Sequence, residues 1–414
     1  MKSRPPISPT MTLAVAVAVA VALFVVPFIA ACSPPESDSS LPMAGSVGGG
    51  GTPEGLGGDA GPGPSGQGGA AGNNGAGGAG VCVPPTGGVT VNGQAAFQYG
   101  INYAWANFGS DFGNNRRGVA IMRAQRLASL MDMKAHGVDL VRWWVFPNFQ
   151  GGGVDFDAAT GAPTGLGGTT AADIAAALDI AAQANVHLQF AFFSFDTFKT
   201  MVNSTTVNPH NLASLIATPA MLSTLVSNVV VPFVNQVNLS PNRDRAASWD
   251  VINEPEWAIS ATPTDGVDPP FSPQTTVTAV TYPVMLSFVK AVVNGLHGAS
   301  DRPVTVGAAA MKWAKAWAGV GDFYTFHLYD WINADYPYTK SLAAYGVTDK
   351  PVVLGEFPIQ GLTGVPYATL LDTIYRLGYA GALAWSFNDA AFPWSPNNAG
   401  VKAFADAHPC AFAP

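Results

Sequence analysis

The amino-acid sequence predicts an α/β protein: a single (β/α)8 TIM barrel, preceded by a secretory signal and a flexible Gly-rich tether. Three observations carry that expectation. Eight short apolar runs alternate with helical stretches. Residues 81–414 make one large domain once the N-terminal segments are set aside. Uncommon polar residues fall where the apolar runs end, the position from which a barrel builds its site.

The expected strands are 97–102, 139–146, 186–193, 248–252, 303–307, 323–329, 352–355 and 382–387. Helical periodicity lies between them at 119–135, 171–183, 220–237, 280–295 and 367–377, whereas the stretches 310–318 and 341–345 are short and predict slight fifth and sixth crossovers. A doubly wound open sheet is the alternative architecture, but no GxGxxG turn follows the first run.

Residues 1–31 read as an export signal. Lys2 and Arg4 precede an uncharged Ala/Val-rich run over 11–31, which ends in Ile29-Ala30-Ala31-Cys32. That ending resembles the bacterial lipobox, which would anchor the mature chain through a lipidated Cys32 at the cell surface or in the periplasm. Cleavage without lipid, giving a secreted protein, and an uncleaved anchor are the alternatives; all three give export. Residues 32–80 are Gly, Ser, Pro, Ala and Asn with almost no large apolar side chain, and read as a flexible linker. Cys82 and Cys410 bracket the domain. In an oxidising compartment they are expected to pair, which requires the two ends of the domain to meet as they do in a closed barrel. A net charge of −8 with sparse Lys and Arg argues against nucleic acid and suits an uncharged ligand such as a polysaccharide. The chain is expected to be a monomer that meets a membrane only through its N-terminal lipid or signal.

Between residues 81 and 414 only three glutamates occur: Glu254, Glu256 and Glu356. Glutamate is a good helix former and normally decorates helix surfaces. Here Glu254 and Glu356 instead end β-runs, in Trp-Asp-Val-Ile-Asn253-Glu254-Pro255 and Val-Val-Leu-Gly355-Glu356-Phe357. Two carboxylates at strand ends suit acid–base or nucleophilic work across one bond. Arg142 interrupts the apolar run Val-Arg-Trp-Trp-Val-Phe, and a guanidinium inside a barrel needs an anion. His327 and Tyr329 end the sixth run, Trp385 lies in the eighth, and Glu256 reads as a rim group.

These residues resemble clan A glycoside hydrolases, most closely glycoside hydrolase family 5, the cellulase and mannanase family. Asn253-Glu254-Pro255, Gly355-Glu356-Phe357, Arg142, His327-Leu-Tyr329 and Trp385 carry the resemblance, over about residues 97–387. It implies a retaining double displacement with Glu254 as acid/base and Glu356 as nucleophile. Asn253 would contact the sugar 2-hydroxyl, Tyr329 would hydrogen-bond the nucleophile, Arg142 would hold it ionised, and Trp385 would floor the subsite. One departure concerns the end of strand three, where family 5 members commonly carry a histidine. Here the run is Phe-Phe-Ser-Phe-Asp196, and Asp196 would take over part of that contact. The implied substrate is a β-linked glycan, either β-1,4-mannan or β-glucan.

Trp105, Trp143, Trp144, Trp257, Trp331 and Trp394 are candidate sugar platforms, with Phe149 and Tyr103 behind them. Trp143 and Trp144 point to opposite sides of their strand, so only one can face the barrel. Loops 151–168 and 258–276 would decide between a groove and a closed pocket. A carbohydrate-binding protein that does not cut is the competing reading, marked by a lost carboxylate. An esterase would need a Gly-x-Ser-x-Gly elbow and a zinc protease an HExxH, and neither is present. No cofactor and no metal are implied.

Overall fold

Eight parallel strands close on themselves in sequence order: β1 (Gln98–Asn102), β2 (Leu140–Trp144), β3 (His187–Ser194), β4 (Ala246–Asn253), β5 (Val304–Ala308), β6 (Tyr324–His327), β7 (Val352–Glu356) and β8 (Gly381–Trp385), with β8 pairing back onto β1. The computed structural model describes residues 88–202, 206–260 and 270–408. The signal, the tether, Cys32 and the expected Cys82–Cys410 pair lie outside the described residues. Nearly every strand residue is buried, because one face lines the barrel and the other meets helices. This double burial is why the strands read as continuous apolar runs and why a polar residue inside one is informative.

The outer layer contains helices Arg123–Ala135, Thr170–Ala184, Tyr282–Ala299, Tyr367–Arg376 and Trp394–Ala407. The expected helix over 220–237 is Pro219–Leu225 and Val231–Leu239, joined through a wider turn at Val226–Val230. Thr218 caps its start, accepting from the Met221 amide, with Pro219 in the first turn. By length and composition Pro219–Leu239 could cross a membrane. Phe233 instead packs edge-on against Phe112, Phe146, Phe190 and Phe192, which makes this a barrel helix. The fifth and sixth crossovers are short, as expected: Met311–Trp317 after β5, then Asp330–Asn333 and Leu342–Tyr345 after β6.

Strand limits shift by a few residues from those expected. The sixth strand ends at His327, so Tyr329 stands just outside it, at the start of the turn Asp330–Asn333. Hairpins also form outside the expected strands, the first of them at an Asn92-Gly93 turn that the sequence does signal. Val89–Val91 with Gln94–Ala96 lies at the N-terminal end of the barrel, where Val89 and Val91 cluster with Leu140, Ala247, Phe323, Val353, Ala380 and Leu383. Val154–Phe156 pairs with Pro163–Leu166 inside the loop 151–168. Of the loop 258–276, residues 261–269 lie outside the described residues. One glycine is required by barrel closure. A Cβ on Gly100 would come within 2.0 Å of the Leu140 carbonyl oxygen, so β1 and β2 could not pair at their observed spacing.

Candidate active site

Alternation along β2 places Leu140, Arg142 and Trp144 toward the interior and Val141 and Trp143 toward the helices. Leu140 belongs to the cluster at the N-terminal end and Trp144 to the one at the mouth, so Arg142 sits midway, fully buried. Its five N–H donors all find acceptors. Nε and Nη2 donate to Asp250 Oδ2 at 2.9 and 2.7 Å, and Nη2 also to Asn253 Oδ1 at 2.8 Å. Nη1 donates to Asn102 Oδ1 at 2.9 Å and to Glu356 Oε1 at 2.8 Å. A guanidinium has five donors and no acceptor, so this fork is saturated.

Asp250 and Asn102 are functional positions that sequence reasoning missed. Asp250 Oδ1 accepts from the Gly307 amide at 2.8 Å while Oδ2 grips Arg142. A Cβ on Gly307 would lie 2.7 Å from Arg142 Nη2 and 2.8 Å from Asp250 Oδ2, so only glycine leaves room for the pair. Asn102 Nδ2 donates to the Gly355 carbonyl at 2.8 Å, fastening β1 to the end of β7. The available signal was a polar residue inside one apolar run, Asp250, and at the end of another, Asn102.

Glu356 ends β7, fully buried, with Oε1 on Arg142 and Oε2 accepting from the Tyr329 hydroxyl at 3.0 Å. Burial pushes its carboxyl up, while His327 and Arg142 pull it down and Glu254 adds to the rise. Glu254, at the end of β4, takes a left-handed backbone with φ 49°, held there by its amide donating to the Gly307 carbonyl at 2.6 Å. Its Oε2 accepts from Trp257 Nε1 at 2.9 Å, and its Oε1 lies 2.7 Å from His327 Nδ1. Burial raises Glu254 to about 7; Trp257 and Arg142 oppose this and Asp196 adds to it. His327, lowered to about 4 chiefly by burial, is neutral near pH 7. Its Nε2 has no hydrogen-bond partner among the described residues, which favours the tautomer with the proton on Nδ1, facing both glutamates.

A carboxylate oxygen of Glu254, one of Glu356 and a ring nitrogen of His327 lie within 4.8 Å of one another. As a cation site the trio is poor, because Arg142, Tyr329 and Trp257 already engage the carboxylates and Arg142 brings its own charge. As an acid and a base opposed across one bond it is well formed. Asn253 turns its oxygen to Arg142, and its buried Nδ2 has no partner among the described residues, leaving a donor for a ligand.

The aromatic candidates divide. Trp105, Trp144 and Trp385 meet edge-on or tilted at 5.3–5.8 Å and form one surface at the mouth. Trp257 stands beside Glu254 and touches both Trp313 and Trp331, the latter 38 % exposed. Four candidates do not line the site. Trp143 donates to Asp111, and Tyr103 packs on Trp143. Trp394 donates to Asp132 on the first outer helix, and Phe149 is buried against Phe156 and Phe193. Asp196 is buried, hydrogen-bonded to Ser194 and ion-paired with Lys199 at 2.5 Å. The rim assignment of Glu256 is corrected: it is 0 % exposed, with both oxygens accepting N–H groups from the segment after β5. A short turn at Pro255 reads as a loop, but tertiary contacts fold its side chain inward.

The chain shares 27 % identity over 340 residues with a mannan endo-1,4-beta-mannosidase of Cryptopygus antarcticus, spanning 72 % of this chain and 81 % of that protein. A mannan endo-1,4-beta-mannosidase of Mytilus edulis is 25 % identical over 351 residues, 75 % and 88 % of the two chains. Among solved structures, an endo-1,4-beta-mannanase of Eisenia fetida superposes with a TM-score of 0.64 at 26 % identity, over 77 % of this chain and 93 % of that one. No family model matches the chain. The resemblance to clan A glycoside hydrolases is borne out.

If Asp250 anchors Arg142, Asp250→Ala strips the acceptor from two of its buried N–H donors and from the Gly307 amide, and breaks one of its two ion pairs. Breaking a buried pair typically costs about 3–5 kcal/mol. Urea unfolding is expected to show a loss of that size, and a change below about 1 kcal/mol contradicts the role given to Asp250.

Proposed function

We propose that this protein is a retaining glycoside hydrolase that cleaves β-1,4-mannan internally by double displacement. The observation that carries the proposal is the opposition of Glu254 and Glu356, whose oxygens approach within 4.8 Å, each in a different electrostatic setting. Carboxyl groups about 5–5.5 Å apart leave no room for an intervening water, so one of them attacks the sugar directly.

Glu356 is the nucleophile, because Arg142 and Tyr329 hold its negative charge. Glu254 contacts no cation directly and is raised to about 7, so it carries the proton and delivers it to the leaving oxygen. Once Glu356 is esterified its charge disappears, the acidity of Glu254 rises, and it can accept the proton of the attacking water. The free Nδ2 of Asn253 supports a donor role toward the 2-hydroxyl. The Trp105, Trp144 and Trp385 surface supports sugar stacking beside the nucleophile. Mannan as substrate and internal cleavage rest on the names of the relatives. Binding without cleavage is disfavoured, since it needs neither the proton on Glu254 nor the ion pair on Glu356.

A panel of mannan, cellulose and mixed β-glucan, read by product length, tests the substrate: mannan shortened to mixed oligosaccharides is expected, and no cleavage of any of them refutes the proposal. Glu356→Gln is expected to lower kcat by on the order of 10⁴-fold or more while leaving the fold and ligand binding intact. Activity requires protonated Glu254, so kcat/KM should fall as pH rises through about 7. A profile still flat at pH 9 counts against Glu254 as the acid.

The proposal extends to export, since a polysaccharide cannot cross a membrane to reach a cytoplasmic enzyme. Lys2, Arg4, the apolar run and Cys32 support a lipoprotein anchored at Cys32. Mass spectrometry of the mature N-terminus is expected to find acylated Cys32; an intact residue 1–31 segment contradicts it.

A further inference from the structure

Glu256 is a buried carboxylate that the mechanism above does not use. It follows Glu254 by two residues in the turn Pro255–Ala258, and it reaches across to the segment that follows β5. Its Oε2 accepts from the Ala309 amide at 3.0 Å, and its Oε1 accepts from Trp317 Nε1 at 2.6 Å. A third link runs alongside, from the Glu254 amide to the Gly307 carbonyl. Three hydrogen bonds therefore sew the turn that carries the proton donor onto the end of β5 and the turn Met311–Trp317.

No Lys or Arg forms an ion pair with Glu256 among the described residues. Burial raises its carboxyl to about 7; the Ala309 amide and the Trp317 indole oppose that rise and Glu254 adds to it. A buried carboxylate without a paired cation is costly. A core position serving packing alone would be filled more stably by an apolar side chain. What the carboxylate supplies that no apolar group can is two acceptors aimed at two donors on a separate segment.

That segment also carries the tryptophan wall. Trp313 touches Trp257, and Lys312 Nζ lies over the Trp313 and Trp331 rings at 4.3 and 5.2 Å. Trp257 in turn donates to Glu254 Oε2. The acid, its indole donor and the wall on the leaving-group side are thus fastened through one residue. The strained left-handed backbone of Glu254 needs such a restraint, because a non-glycine residue there relaxes unless its surroundings hold it.

We propose that Glu256 is a positioning residue that fixes the proton donor Glu254 and the leaving-group wall by clamping the turn after β4 to the segment after β5. This rests on the hydrolase reading above. It predicts a defect confined to the leaving-group side of the reaction. In Glu256→Gln one amide oxygen can still accept, but the NH2 group must face an N–H donor, so one clamp bond is lost. Trp317→Phe removes one bond and keeps the carboxylate.

The test compares kcat/KM on a manno-oligosaccharide with kcat/KM on a 2,4-dinitrophenyl β-mannobioside, whose leaving group departs without a proton and places no sugar against the wall. General-acid assistance is worth about 10²–10⁴-fold, and a misplaced acid forfeits part of it. Both variants are expected to lose about 10- to 100-fold on the oligosaccharide and less than about 3-fold on the aryl substrate. Equal losses on both substrates, or no loss on either, overturn the proposal while leaving the hydrolase reading intact. If Glu256→Gln fails to fold, Trp317→Phe decides alone. If the wild-type protein cleaves neither substrate, it is the hydrolase reading that fails.

Discussion

The interaction on which the structure depends is the burial of one guanidinium. Arg142 lies in the middle of the barrel with all five N–H donors engaged, and water can contribute nothing there. It is ion-paired with two carboxyl groups, Asp250 and Glu356, so one cation already serves an excess of acid. A third charge on Glu254, a few ångströms away, would be added to that excess in a poorly hydrated site. On the proposed mechanism the proton therefore resides on Glu254, and the division of labour between two chemically identical side chains follows from which of them the arginine touches.

The barrel turns this electrostatic arrangement into a geometry. β2, β4 and β7 present Arg142, Asn253 with Glu254, and Glu356 from different directions toward one point, and β6 adds His327. Small residues make the close approach possible. Gly307 leaves space for Arg142 against Asp250, and a Cβ on Gly355 would stand 2.1 Å from Thr325 Cγ2. Neither glycine has a positive φ, so each is needed for lack of a side chain rather than for backbone freedom.

Much of this was legible in the sequence. Double burial makes barrel strands into apolar runs, so the eight runs marked the strands to within a few residues, and a charge inside one run marked Arg142. Scarcity did the rest for the glutamates: with helices built from other residues, two glutamates at strand ends stood out. What stayed hidden is what depends on pairing across distant strands. Asp250 is one polar residue in an apolar run, and nothing local says that its partner lies on β2. Glu256 sits beside a proline in a short turn, a local context that reads as exposed; only the fold of the segment after β5 buries it. Trp394 and Tyr103 have the right residue type at the right end of a strand but face the helical layer. Tyr329 reads as a strand residue and belongs to the turn beyond it, although its hydroxyl still reaches Glu356.

The most direct test of the division between the two glutamates is covalent trapping. A 2,4-dinitrophenyl 2-deoxy-2-fluoro-β-mannobioside has a leaving group that departs readily and a fluorine that slows hydrolysis of the intermediate, so a glycosyl-enzyme should accumulate. Peptide mapping by mass spectrometry is expected to find one adduct, on Glu356. Turnover of mannan without any trapped adduct, or a label on Glu254 instead, contradicts the assignment.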